Sequence, residues 1–126
     1  MIFKQVFDTK SSTYTYIIAS GKGREAVIID PVIENVESYI RLLNELDLKL
    51  VKVIDTHIHA DHVTGASKLK QATNCSTLMG EHTPADAVEI KVKDDEIIKI
   101  DQIEIKAMYT PGHTSVSYTH LRAHET

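Results

Sequence analysis

The chain has one cysteine, no tryptophan, two phenylalanines and only five glycines and three prolines among its 126 residues. A single thiol, Cys75, excludes an internal disulfide framework and fits a reducing compartment. As a small apolar side chain it is expected in the core, with no redox task. Basic excess is also missing: Lys and Arg number 14 against 18 Asp and Glu, for a net charge of −4. That leaves no basic face for nucleic acid or anionic lipid. No apolar run approaches membrane-spanning length, and the N-terminus lacks a charged region followed by an apolar one, so a cytoplasmic protein without a membrane partner is expected. Internal repeats, low-complexity stretches and linkers are absent, and with them any domain boundary. What remains, 42% hydrophobic and 25% charged, reads as one soluble globular domain with a modest core.

The hydrophobic pattern alternates between the two periods. Residues 2–7 and 14–19 read as strands, followed by a turn at Gly21-Lys22-Gly23 and the apolar run 26–29, which stops at Asp30-Pro31. These three should form a meander. Tyr14 and Tyr16 alternate with threonines, so one face of their strand should be core. Val36, Tyr39, Ile40, Leu43 and Leu46 recur at helical spacing, predicting an amphipathic helix over 35–47 with Asn35 as N-cap. A second helix over 65–72, with Lys68 and Lys70 on its polar face, a short strand at 76–79 and a hairpin of 97–100 with 103–107 follow, although the hairpin turn lacks Gly or Asn. Residues 91–96 read as a solvated turn, and His82 as a solvated loop histidine.

The densest chemistry lies in Thr56-His57-Ile58-His59-Ala60-Asp61-His62, directly after the apolar run 50–54. An extended chain puts residues i and i+2 on one side, so His57 and His59 can converge on one ion. Asp61 and His62 follow where the backbone turns toward the next helix, able to hold a second ion or to work beside the first. A lone histidine is usually a surface or satisfied core residue. Four ligand-type side chains collected after a buried strand are not explained by packing, because each costs free energy to desolvate. A second signal is Tyr109-Thr110-Pro111-Gly112-His113-Thr114, where a Pro-Gly turn can fix a histidine rigidly just past a strand. Alone it is weak; paired with the upstream cluster, His113 supplies a ligand from another strand.

Together the Thr56–His62 and Thr110–Thr114 segments resemble the metallo-β-lactamase superfamily, with its T-H-x-H-x-D-H and P-G-H-T loops. Ser12-Thr13-Tyr14-Thr15-Tyr16, Arg24 through Val32, and His62-Val63-Thr64-Gly65-Ala66 look further like the persulfide dioxygenases, relatives of the glyoxalase II thioesterases. The resemblance implies an α/β fold, the αββα sandwich, of which residues 1–115 would be about the N-terminal half. It implies two ligand sets. In the dioxygenase pattern His57 and His113 hold Fe(II) while His59, Asp61 and His62 line the pocket. In the hydrolase pattern His57, His59 and His113 hold one Zn(II), and Asp61 and His62 a second. Either family completes its site with an Asp on a later strand. The implied reactions are oxidation of glutathione persulfide to sulfite and glutathione, or hydrolysis of a glutathione thioester, with Asp61 and His62 as catalytic candidates. A noncatalytic metal-binding fragment is the third alternative.

Residues 116–126 break the pattern. The family continues its P-G-H-T loop with a strand, but this stretch has no apolar alternation and resembles the in-frame translation of a transposon adapter used in sequencing libraries. His120 and His124 are therefore not counted as ligands.

Overall fold

The computed structural model describes residues 1–55, 65–80, 90–92, 96–101 and 103–106. Three strands open the chain, β1 (Ile2–Asp8), β2 (Thr13–Ala19) and β3 (Glu25–Ile29). They pair antiparallel in sequence order, which is the expected meander. A single 3-10 turn (Ile33–Asn35) leads into helix α1 (Val36–Glu45), after which β4 (Lys49–Asp55) returns parallel to β3. Helix α2 (Gly65–Thr73), β5 (Ser76–Gly80) and β6 (Ile90–Val92) follow, and both strands join in parallel. The sheet order is β1-β2-β3-β4-β5-β6, and β7 (Ile97–Ile100) with β8 (Ile103–Lys106) forms a separate two-stranded sheet.

Period-two alternation sends the strand side chains to two different cores. Ile17, Ala19, Ala26, Ile28, Leu50 and Val53 face Val36, Tyr39 and Leu43 of α1 and Ala66 and Leu69 of α2. Ile18, Val27, Ile29, Ile54 and Leu78 face Ile98, Ile100, Ile103 and Ile105 of the hairpin. Helices, six-stranded sheet and hairpin thus form three layers, as one helical layer and two facing sheets of the metallo-β-lactamase sandwich require. Within β4, Leu50 and Val53 could not share a face at strict alternation. A register shift between Ala26 and Val27, which pair with Leu50 and Lys52, takes up the extra residue at Val51.

Two expectations need amendment, the Asn35 cap and the solvated turn over 91–96, whereas the hairpin and the core face of β2 are as expected. The hairpin forms between Ile97–Ile100 and Ile103–Lys106, residue 107 lying outside the described residues, and Asp101 rather than Gly or Asn takes the left-handed backbone conformation, at φ 50°. Its carboxylate accepts the Glu25 N–H at 2.9 Å, which ties the turn to the start of β3. Asn35 does precede α1, but makes no side-chain cap. Its amide donates instead to Asp8 Oδ1 at 3.1 Å, a competing partner 27 residues away. Lys91 and Val92, read as part of a solvated turn, belong to β6. On β2 it is Thr15 that enters the helix-side core, while Tyr14 stays exposed. Cys75 is buried, as expected, and Lys68 and Lys70 are exposed. Among the described residues no helix is long and apolar enough to cross a membrane.

Candidate metal centre

His57, His59, Asp61 and His62 lie between the end of β4 and the start of α2, His113 lies after β8, and all five fall outside the described residues, as do His82, His120 and His124. Among the described residues no three His, Cys, Asp or Glu side chains come together as a metal site. What the structure does give is the frame into which the histidine segment is tied, at both of its ends.

That frame begins with a strained corner after β3. Asp30 takes φ 56°, a conformation costly for a residue with a Cβ, and its N–H donates to the Ile54 carbonyl at 2.8 Å. One residue on, the Pro31 carbonyl accepts the Gly65 N–H at 3.1 Å. The same corner therefore holds Ile54, just before the histidine segment, and Gly65, just after it. Gly65 is needed for this approach. A Cβ there would stand 3.1 Å from Pro31 Cβ and from Val36 Cγ2, and 3.3 Å from the Pro31 carbonyl carbon.

The corner is itself locked from below by two buried hydroxyls, Thr15 and Tyr39, each 1% exposed. Thr15 Oγ1 can only donate to the Asp30 carbonyl, at 2.7 Å, and the Val32 N–H can only donate to Tyr39 Oη, at 3.1 Å. Thr15 has then spent its single proton, so at the 3.1 Å contact between the hydroxyls Tyr39 is the donor. The relay runs Val32 N–H to Tyr39 to Thr15 to the Asp30 carbonyl, with every proton used. Sequence reasoning placed Tyr39 in the core but missed this pairing, for which a threonine at a core-facing strand position was the available signal.

Position and direction agree with a centre at this edge. β3, β4 and β5 run parallel, and ligands of parallel sheets gather beyond the carboxyl ends of the strands, where Asp55 closes β4. Asp55 is buried at 6% exposure, directly before Thr56 and His57. Because the Asp101 turn is bonded to the first residue of β3, β8 runs from the opposite end of the sheet toward this edge.

Known proteins share the fold. The sequence profile of the metallo-beta-lactamase superfamily matches residues 8–120. The mitochondrial persulfide dioxygenase ETHE1 of Bos taurus is 35% identical over 115 residues, covering 90% of this chain and 45% of the relative. A hydroxyacylglutathione hydrolase of Dictyostelium discoideum is 29% identical over 110 residues, 86% of this chain and 40% of the relative. Among solved structures, ETHE1 from Myxococcus xanthus superposes with a TM-score of 0.87 at 40% identity, over 96% of this chain and 53% of that one. The chain spans about half the length of the relatives it matches.

Proposed function

This chain belongs to the metallo-beta-lactamase superfamily, and from that membership we propose that the whole natural protein is an iron-dependent persulfide dioxygenase acting on glutathione persulfide. The supporting observation is the extent of the match: 35% identity to the bovine persulfide dioxygenase runs over 90% of this chain, and the Myxococcus xanthus structure superposes over 96% of it at 40% identity, whereas the hydrolases match at 29% over 86% or at 37% over only 52%. The donor set fits such a metal. Imidazoles at His57 and His113, completed by the carboxylate that the family takes from a later strand, suit Fe(II) and Zn(II) alike, so the choice between them lies in later ligands and metal supply. Fe(II), when bound, would supply activation of dioxygen. His57 and His113 would hold the ion. His59, Asp61 and His62 would line the pocket beside it and orient the persulfide. Sulfite and glutathione would be the products.

A second reading, a dinuclear zinc thioesterase, is favoured by the hydrolase relative and by the shared histidine motif. It would use His57, His59 and His113 for one ion and Asp61 and His62 for the other. Oxygen uptake separates the two. The natural protein, reconstituted anaerobically with Fe(II), should consume oxygen when glutathione persulfide is added, and His57→Ala or His113→Ala should abolish uptake. Cleavage of S-lactoylglutathione with zinc, without oxygen consumption, would establish the hydrolase instead.

A further inference from the structure

We propose that Thr15 and Tyr39 are positioning residues of the metal centre, acting through the Asp30-Pro31-Val32 corner that holds both ends of the histidine segment. The proposal rests on the metal-centre reading above, but not on which reaction the centre performs. Its geometry is complete on the protein side: Thr15 Oγ1 holds the Asp30 carbonyl at 2.7 Å and Tyr39 Oη holds the Val32 N–H at 3.1 Å. The corner in turn holds the Ile54 carbonyl through Asp30 and the Gly65 N–H through Pro31.

A site that draws several of its ligands from one short segment binds tightly only if that segment is ordered before the ion arrives, since ordering it on binding costs conformational entropy. Here the fixed points of the segment are separated from the helix-side core by two hydroxyl groups. A phenylalanine at 39 would fill the same space, yet leave the Val32 N–H without its acceptor and Thr15 without its donor. The half-buried Val32 N–H and the buried Thr15 hydroxyl would lose these partners, which frees the corner to move. Any such movement shifts Ile54 and Gly65 relative to each other, and with them the segment between. The bonds of the Tyr39 hydroxyl are to Thr15 and to the Val32 backbone, so the effect argued here passes through the backbone of the corner.

The test uses the natural full-length protein and reads metal binding rather than turnover. Zn(II) affinity is measured by competition with a chromophoric chelator, and ligand geometry by the visible absorption of the Co(II)-substituted protein. Tyr39→Phe and Thr15→Val should each weaken Zn(II) binding by about 10-fold or more, the scale on which outer partners of metal ligands act, and should alter the Co(II) spectrum. The double variant should lose little beyond either single one, because both changes break one relay. Thr15→Ser, which keeps the hydroxyl, should bind as the parent does, and this pair of variants decides the matter if Tyr39→Phe fails to fold. Ile100→Val, a core truncation on the hairpin side, should lower the melting temperature and leave metal affinity unchanged. Variants that melt earlier but keep the parent's Zn(II) affinity and Co(II) spectrum would overturn the proposal. A parent that binds no metal would instead overturn the metal-centre reading beneath it.

Discussion

Gly65 shows how little room the corner leaves. Alanine there would gain some helix propensity at the start of α2, worth under about 1 kcal/mol. Against this stands a Cβ pressed 3.1 Å from both Pro31 Cβ and Val36 Cγ2. Neither neighbour can yield cheaply, since Pro31 is a ring in a bonded corner and Val36 begins α1. Overpacking of this kind costs about 1–3 kcal/mol, so Gly65→Ala should destabilise on balance, seen as a lower urea midpoint with an unchanged m-value. At Asp8 the relevant force is electrostatic. The Ser11 hydroxyl at 2.6 Å, then the Ser11 N–H and the Asn35 amide, hold its carboxylate below the ordinary value of 3.8. A depressed folded pKa stabilises above the unfolded value and loses that contribution as pH falls through the folded one. The stability difference between the parent and Asp8→Asn should therefore be constant above about pH 5 and shrink below pH 3.8, as acid-titrated melts can check.

The elements divide by how local their causes are. Helix α1 was legible because Val36, Tyr39 and Leu43 sit on one stripe that the sequence displays directly, and all three are buried. The Asn35 cap was not, because the competing acceptor, Asp8, lies on β1 and only the folded chain brings it near. The same holds for β6. Its charged neighbours suggest solvent, yet Ile90, Lys91 and Val92 pair with Leu78, Met79 and Gly80, an edge pairing with no local signature. The bulge at Val51 is similarly invisible, since an unbroken apolar run looks alike in either register. The metal motif was the reverse case. Its residue types announce chemistry without any fold, whereas the relay of Thr15 and Tyr39 needed three elements to be in place before two ordinary core residues became a lock.

For the whole molecule, the strand faces set an expectation about the 126-residue chain by itself. The hairpin covers β3, β4 and β5 through Ile98, Ile100, Ile103 and Ile105. On β1 and β2, Phe3, Phe7 and Tyr14 remain 45–49% exposed, with ring contacts among the described residues between Phe3 and Tyr16 and between Phe7 and Tyr14. Aromatic area of this kind beside an edge strand favours association. The 126-residue chain should bind a hydrophobic dye strongly or sediment as oligomers. A monomer with a sharp cooperative melt at micromolar concentration would contradict this. The last eleven residues carry the remaining expectation, that residues 116–126 are adapter-derived rather than native. They show no alternation that would extend a strand past the P-G-H-T loop, and the superfamily match, which ends at residue 120, overlaps only their first five positions. Their loss would not change the electrostatics, because Arg122 and Glu125 cancel and the net charge stays −4. Two histidines would go with them, so the expectation has a chemical consequence. Replacing His120 and His124 together by alanine should leave Zn(II) affinity of this chain unchanged, whereas His57→Ala should reduce it. A genomic read from the source encoding these residues in frame after Ser115 would show the tail to be native.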